Sequence, residues 1–210
     1  MKPLLLLLAL LTSAPQPPAV RVTFSPLTKA AYLAAQKGCL VTKPKMTFPL
    51  KKVRGRIVIP TTKGNVVFAD NLVEEGSPEW EEYKYLGYIP NLDCHLLEHS
   101  HYEWLSNILV DKNGRQTEVY NSLVYSTNFK SFATISAGIE DAVFPNEIRI
   151  FQFNNHRWRQ VWKLEPSVEP VTWEPDAICW TSPTTLLLRK KMWTGSNPGT
   201  TYTYARLTIH

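Results

Sequence analysis

The sequence predicts an all-β protein, a stack of about three antiparallel β-meander units with one short N-terminal helix. Two observations lead to this prediction. Four pairs of apolar, β-branched segments are each separated by a short turn sequence, which is the pattern of β-hairpins. In addition, three aromatic residues, Tyr88, Tyr125 and Trp180, each precede a polar turn and then a short apolar strand. Such recurrence is typical of repeated β units, each with an apolar face that a neighbouring unit must bury.

The start of the chain is typical of a secretory signal peptide. Lys2 gives a positive start, residues 4–11 form an unbroken apolar run, and small residues follow at 12–14. A run of this length is too short to span a bilayer, so we expect export without a transmembrane segment. The predicted organisation is a signal peptide (1–19), a leader with a short helix (20–52) and a β-repeat domain (53–210).

One helix is predicted, over residues 28–38. Thr28 can cap its first turn, alanines fill its middle, and Gly38 follows its last lysine, as the end of a helix favours. A helix of about three turns is marginal alone, so it must pack on something larger.

The predicted hairpins are recognised by their turns. Asn113-Gly114 between two apolar runs is the strongest short-range hairpin signal. Within the third hairpin, the period of two puts Trp158, Gln160 and Trp162 on one inward face. The predicted strand pairs are 56–59 with 65–69, 105–111 with 116–120, 148–153 with 158–164, and 186–193 with 201–209.

The hairpins and the aromatic residues predict how the units are completed. Each aromatic residue precedes a first strand, and the hairpin after it supplies the next two strands. The last unit runs out of chain at His210, whereas hairpin 56–69 has no such strand before it. Radial β folds hide their edges by closure, so we expect hairpin 56–69 to complete the final unit. Three units are fewer than closed propellers have, which favours an open propeller-like stack or a sandwich derived from one.

At these residues the chain resembles the degenerate repeats of bacterial β-propeller proteins of the WD-like and TolB-like kind. In those repeats an aromatic-Ser-Pro-Asp-Gly-Lys segment leads into an apolar strand. Segments 125–130 and 180–185 are similar to it but lack the Asp-Gly. Segments 85–88, 107–115 and 178–189 also resemble exported proteins of environmental bacteria. The resemblance covers about residues 50–190 and implies a secreted or periplasmic protein of the bacterial envelope. It implies no reaction and no functional residue.

The three cysteines, Cys39, Cys94 and Cys179, lie far apart and match no metal-type CxxC spacing. Export permits a disulfide, and an odd number of cysteines leaves at least one thiol unpaired. We interpret them as small buried apolar side chains with at most one disulfide among them.

Charge is divided unevenly along the chain. No acidic residue precedes Asp70, and the segment before it is rich in lysine and arginine, whereas acidic residues dominate from Asp70 to Glu118. A basic segment can bind an anionic partner such as phospholipid, a polyanionic saccharide or nucleic acid, and predicted export disfavours nucleic acid. The interpretation that we favour is that the basic segment lies across the acidic one in the folded chain.

Three of the five histidines lie within residues 94–101. On a strand, His95, His99 and His101 share one face, with about 7 Å between His99 and His101. They are weak candidates for a zinc or copper site, which would need a further ligand from elsewhere. The alternative is a strand edge with solvated imidazoles, or imidazoles that bond to the backbone.

The seven tryptophans and nine tyrosines suit either a core or a surface that stacks on saccharides or contacts a protein. We expect the core role for most of them. Sequence signatures of a hydrolase nucleophile, a phosphate-binding loop and a zinc-protease helix are absent. No catalytic residue and no cofactor is therefore predicted.

These observations favour an exported, non-catalytic binding or interaction module on a propeller-like scaffold, with an unknown protein or a saccharide as its partner. One alternative is a metal-assisted envelope enzyme centred on His95, His99 and His101. Another is a structural envelope protein, in which a free sheet edge could form a homo-oligomer.

Overall fold

The computed structural model describes residues 20–39, 43–74, 77–102, 104–139, 144–166, 172–194 and 197–210. These residues form one α-helix, fourteen strands and four antiparallel sheets, which confirms the all-β prediction. Within these ranges, no helix is long and apolar enough to cross a membrane. The predicted signal peptide, 1–19, lies outside the described residues.

The predicted hairpins are all present, with bounds shifted by a few residues. Helix α1 is Lys29–Gln36, and a single 3₁₀ turn is Pro90–Leu92. The strands are β1 Val22–Leu27, β2 Arg56–Thr61, β3 Gly64–Ala69, β4 Glu81–Ile89, β5 Cys94–His101, β6 Leu105–Asp111, β7 Gln116–Tyr120, β8 Val124–Tyr125, β9 Ser131–Ser136, β10 Glu147–Asn154, β11 Arg157–Leu164, β12 Thr172–Ser182, β13 Thr185–Thr194 and β14 Asn197–Ile209.

The sheets follow the order of the chain. Strands β4 to β7 form a first four-stranded sheet, and β8 to β11 form a second. The third four-stranded sheet has the order β1-β14-β13-β12, so its outermost strand comes from the start of the described chain. Strands β2 and β3 form a separate two-stranded sheet.

The expectation that hairpin 56–69 completes the final unit is wrong. Strand β1 takes that position and pairs antiparallel with β14, from Val22 opposite Ile209 to Leu27 opposite Tyr204. The hairpin instead lies on the first sheet, because its inner face is apolar and needs cover. Its apolar side chains Ile57, Ile59 and Phe68 are buried in one cluster with Leu97, Ile108 and Val110 of the first sheet.

The opposite face of the first sheet packs on the second sheet. Leu96, Leu109 and Val119 of the first sheet share a buried cluster with Phe132 and Phe151 of the second. The rings of Phe132 and Phe151 stack with centroids 4.6 Å apart. Aromatic pairs at this spacing add to the stabilisation from burial, so this layer is the aromatic centre of the fold.

The third sheet covers the remaining face of the second sheet. Ile148 and Ile150 of β10 pack with Trp180, Leu186 and other apolar residues of the third sheet. The Trp180 indole is fully buried, and its Nε1–H donates to the Val124 carbonyl oxygen at 2.8 Å. One side chain therefore joins the third sheet to the second by packing and by a hydrogen bond.

Helix α1 covers the outer face of the third sheet. Thr28 caps it as the sequence predicts, since its hydroxyl accepts from the Ala31 backbone N–H at 3.1 Å. The Tyr32 ring is buried and lies 4.6 Å from the Tyr204 ring, centroid to centroid. The chain after the helix is tied to β12 by a disulfide between Cys39 and Cys179.

A β-bulge in the second sheet changes which face one tryptophan occupies. Strict alternation predicts that Trp158 and Trp162 point the same way, but the register between β10 and β11 shifts between Ile150 and Phe151. Trp158 consequently packs in the cluster facing the first sheet, and Trp162 in the cluster facing the third. The extra residue of a bulge reverses the alternation beyond it.

Replacing Trp180 by alanine tests the contact between the second and third sheets. We expect Trp180→Ala to lower the free energy of unfolding by about 3–5 kcal/mol, because a full indole volume is lost and the Val124 carbonyl loses its donor. Urea unfolding followed by circular dichroism measures the change. Trp193→Ala is the matched control, since the Trp193 ring is partly exposed. Equal losses in the two variants would contradict the role given to Trp180.

The disulfide predicts a thiol count and a stability effect. Denatured, unreduced protein should take up one alkyl group, on Cys94, and reduced protein should take up three by mass spectrometry. The bridge closes a sequence separation of 140 residues. The double variant Cys39→Ser/Cys179→Ser should therefore lose about 2–5 kcal/mol of stability. Three alkyl groups before reduction would show that the bridge is absent.

Candidate functional site

A bulge in β4 brings two tyrosines onto the face that carries His95. The register between β4 and β5 shifts between Tyr85 and Gly87, so Tyr85 lies opposite Leu97 while Tyr88 lies opposite His95. In a regular strand, residues three apart point to opposite faces. Here the extra residue lets both tyrosine rings contact the His95 ring, with centroids 5.9 Å and 4.8 Å away.

Gly87 permits this bulge and a close approach of the chain beside it. Its φ is +141°, a value that residues with a side chain rarely adopt. A Cβ at this position would lie 3.1 Å from the Thr47 carbonyl oxygen and 3.3 Å from the Met46 Cβ. Thr47 pairs with Tyr88 through two backbone hydrogen bonds, which extends the first sheet by one short segment.

The opposite wall of the site comes from two turns that dock on each other. The Thr62 N–H donates to the Lys112 carbonyl oxygen at 2.8 Å, which joins the β2–β3 turn to the β6–β7 turn. Gly114 has a φ of +77°, and a Cβ there would lie 3.1 Å from Val66 Cγ2. Asp111 stabilises the second turn, since one carboxylate oxygen accepts from the Asn113 and Arg115 N–H groups.

Between these walls lies a cleft of about 610 Å³. This volume falls within the range of small-molecule sites, about 300–1,000 Å³. Its apolar surface comes from two prolines and a tyrosine ring, and its polar groups come from a histidine, a lysine, an aspartate and three threonines. The lining residues are Thr47, Pro49, Pro60, Thr61, Thr62, Tyr88, Asp93, His95 and Lys112.

The Tyr85 hydroxyl fixes the orientation of the His95 ring, since it lies 2.9 Å from His95 Nδ1 and is hydrogen-bonded to it. Burial lowers the pKa of His95 below the ordinary 6.5, and burial raises the pKa of Tyr85 to about 12. Burial thus disfavours the charged form of both side chains. His95 also lines the cleft, where its ring can hydrogen-bond to a ligand.

A second chain of polar contacts fixes the floor of the cleft. The Tyr88 hydroxyl donates to Asp93 Oδ1 at 2.8 Å, and this hydrogen bond, with burial, raises the pKa of Tyr88 to about 12. Lys112 Nζ lies 3.6 Å from Asp93 Oδ2. Asp93 adopts the left-handed conformation after the 3₁₀ turn, which brings its carboxylate back toward Tyr88.

The structure separates His95 from His99 and His101, although the three lie close together in the sequence. All three lie on the face of β5 that the two-stranded sheet covers, but Leu97 between them is buried beneath that sheet. His95 therefore lies at one end of the covered region, and His99 and His101 lie at the other. His99 is four positions after His95, about 13 Å along a strand.

His99 and His101 form a second polar and aromatic cluster. The His99 ring is buried and stacks on the Tyr83 ring at 4.3 Å, and the His101 ring stacks on Trp104 at 4.9 Å. Carboxylates surround the pair. Glu81 Oε1 lies 3.9 Å from His99 Nε2 and 3.7 Å from His101 Nε2, and Glu118 Oε1 lies 3.4 Å from His99 Nδ1.

The metal site proposed for His95, His99 and His101 stays a prediction. In the described part of the chain, no group of three or more His, Cys, Asp or Glu side chains is arranged to hold a metal ion. The separation of His95 from the other two histidines means that the three do not form one first coordination sphere in this conformation. Glu81 is the carboxylate that accompanies His99 and His101, and sequence reasoning did not single it out.

The aromatic residues divide between core and site in a way that the sequence did not predict. Tyr125 and Trp180 are buried, as expected for residues that begin a unit, but Tyr88 is partly exposed and lines the cleft. Every tryptophan is buried or partly buried, which removes the support for exposed tryptophans that stack on saccharides. Cys94 is buried, and burial raises the pKa of its thiol to about 12, so the thiol stays protonated at neutral pH.

Sequence reasoning missed Asp93 and Lys112, which line the cleft, and Tyr85, which hydrogen-bonds to His95. One sequence signal was present: a glycine inside a strand pattern, here Gly87, often marks a bulge that re-aims side chains. The pairing of Thr62 with Lys112 has no such signal, because the two residues are distant in sequence.

No protein-family model matches this chain, and no curated protein sequence matches it significantly.

The lowered pKa of His95 predicts a pH effect on stability. Below the unfolded pKa of about 6.5 the unfolded chain takes up a proton that the folded chain resists, so stability falls as the pH decreases from there toward the folded pKa. Urea unfolding at about pH 7.5 and about pH 5 should show a smaller loss in His95→Gln than in the native protein. His156→Gln is the control, since His156 is exposed on a turn and should leave the loss unchanged. An undiminished loss in His95→Gln would contradict this account.

Proposed function

We propose that this protein is an exported, non-catalytic binding module on a propeller-like β scaffold, and that it binds a small polar ligand in the cleft beside His95. The cleft carries this proposal. It has the volume of a ligand site, apolar side chains on its walls and several polar groups, and such convergence is the usual basis for assigning a binding site.

The order of the sheets supports the propeller-like interpretation. Three sheets of four strands follow one another along the chain, and an N-terminal strand completes the last of them. Propellers use radial repetition to protect their edges, and β1 protects the edge of β14 in the same manner. The segments that resemble bacterial propeller repeats contribute strands to these sheets.

The cysteines support export. Disulfides persist in oxidising compartments, and they are rare in the cytosol of most organisms. The bridge between Cys39 and Cys179 joins the N-terminal segment to the third sheet, so an oxidising compartment stabilises the fold itself. Together with the signal-peptide pattern of residues 1–19, the disulfide supports the proposal that the protein is exported.

The polar groups of the cleft favour one class of ligand. The Lys112 ammonium is a donor and the His95 ring can also hydrogen-bond, so we expect the ligand to present acceptor oxygens. The Tyr88 ring and Pro60 offer an apolar surface on which a ring with C–H groups can pack. Saccharides combine a C–H face with hydroxyl or carboxylate oxygens, and an acidic saccharide would also attract Lys112.

The experiment is a titration of the chain from residue 20 with a panel of neutral and acidic mono- and disaccharides. Saturation-transfer NMR detects binding, and calorimetry measures affinity for any sugar that binds. Tyr88→Ala removes the apolar platform and the donor to Asp93, so we expect it to weaken binding by about tenfold or more. His95→Gln should weaken it by a smaller factor, because only one hydrogen-bonding group of the cleft is displaced.

Tyr202→Ala serves as the matched control, because Tyr202 is an exposed tyrosine on β14 of the third sheet. Its affinity should equal that of the native protein. Binding that survives Tyr88→Ala but is lost in Tyr202→Ala would move the site to the third sheet. Absence of binding across the panel would reject saccharides as the ligand class.

A further inference from the structure

The two-stranded sheet is the outermost layer at its end of the stack, and its outer face exposes apolar side chains. Its inner side chains pack on the first sheet, whereas Val58 and Val67 lie opposite each other on the outer face. These two side chains are 43% and 52% exposed. Pro60 follows on the same face and is also exposed.

The segment that leads into this sheet exposes larger apolar side chains. Thr47 pairs with Tyr88, and Lys52 Nζ donates to the Tyr83 carbonyl oxygen, so the segment between them follows the edge of β4. Phe48, on this segment, is 70% exposed, and Val53 at its end is 63% exposed. Side chains this exposed contribute little to the core, so burying them elsewhere would be favourable.

The same region is strongly basic, and its charges are largely unpaired. Among the described residues before Asp70, Lys52 is the basic residue that forms ion pairs, with Asp70 at 2.6 Å and with Glu82 at 3.4 Å. The basic segment does lie across the acidic one, since hairpin 56–69 packs on the first sheet, but among the described residues only Lys52 of that segment pairs with its carboxylates. The other basic side chains of the region are exposed and form no ion pair with described residues: Lys43, Lys45, Lys51, Arg54, Arg56 and Lys63.

Local geometry projects part of this charge outward. Val53 bridges to Arg56, and Arg54 and Gly55 between them both have positive φ, which forms a tight turn. The turn places the Arg54 side chain at an exposed tip beside Val53. Cationic and apolar side chains are thus interspersed over one end of the molecule, with no acidic residue between 43 and 69.

We propose that this end of the molecule, the docking face, binds the surface of an anionic phospholipid bilayer. The docking face consists of Arg56, Val58 and Val67 on the outer face of the hairpin, Val53 and Arg54 in the turn before it, and Phe48 and Lys51 on the segment that follows the edge of β4. Lysine and arginine attract anionic headgroups, while an aromatic ring and valines enter the boundary between headgroups and acyl chains. Interspersed basic and apolar side chains of this kind suit a lipid surface, which presents charged headgroups with acyl chains directly beneath them. This function is separate from ligand binding in the cleft.

Vesicle sedimentation tests the proposal with the chain from residue 20, which contains every described residue. Vesicles of phosphatidylcholine with about 30% phosphatidylglycerol should sediment the protein, and pure phosphatidylcholine vesicles should not. Binding should weaken as the salt concentration is raised, since salt screens the attraction between the basic side chains and the anionic headgroups. Lys51→Glu/Arg54→Glu should weaken binding by about fivefold or more for each side chain changed. Phe48→Ser/Val53→Ser should weaken it even in low salt.

Helix α1, at the other end of the stack, provides the matched controls. It exposes Leu33, and it has exposed cations at its two ends, Lys29 in its first position and Lys37 directly after it. Lys29→Glu/Lys37→Glu and Leu33→Ser should therefore bind vesicles as the native protein does, and circular dichroism should show that every variant is folded. Tyr88→Ala should also keep vesicle binding, which separates this proposal from the cleft.

Three outcomes would overturn the proposal. One is the absence of sedimentation with anionic vesicles at low salt. Another is equal weakening by the control variants, which would indicate attraction by net charge alone. The third is retention on immobilised heparin, lost in the Lys51/Arg54 variant, without binding to vesicles, which would identify a soluble polyanion as the partner.

Discussion

The second four-stranded sheet is apolar on both faces, and the position of every other layer follows from the need to cover them. Phe132 and Phe151 face the first sheet, whereas Ile148 and Ile150 face the third. Covering sheets have outer faces of their own, and these are covered in turn by the two-stranded sheet and by α1. The stack can end at the two-stranded sheet and at α1, because each of them is small and buries only one of its faces. An exposed apolar residue such as Val58 is the consequence at one end.

The N-terminal segment holds the third sheet in three ways at once. Strand β1 protects the edge of β14, Tyr32 of α1 covers an outer face, and Cys39 is bonded to Cys179. All three contacts join the start of the described chain to its end. The segment can therefore dock only after the last strands have formed, and such long-range contacts are typical of slowly folding β proteins. Once the disulfide between Cys39 and Cys179 has formed, it holds the segment in its docked position.

Local signals in the sequence predict the strands, the turns and the helix, but not how the layers meet. Asn113-Gly114 and the cap at Thr28 act within a few residues, so their structural effect can be read from the chain. The place of hairpin 56–69 depends instead on which apolar face it covers, and a meander pattern does not identify that face. The bulges near Gly87 and in β11 also reverse the alternation of side chains. The sequence-based prediction of which face each side chain occupies depends on that alternation. For this reason the sequence predicts that the three histidines share one face. It does not predict that Leu97 is covered on that face, which separates His95 from His99 and His101.

The size of the two-stranded sheet determines which polar side chains of the first sheet stay accessible to a ligand. Its strands have six residues each, whereas β4 has nine and β5 has eight, so it covers the middle of that face and leaves both ends open. At one end its turn docks beside Lys112 and forms the wall of the cleft at His95. At the other end His99 and His101 stack among rings and carboxylates. The turn of this sheet thus forms part of the cleft, while Val58 and Val67 on its outer face stay exposed. Pro60 belongs to both surfaces, because it lies on the outer face and also lines the cleft, so the cleft adjoins the docking face.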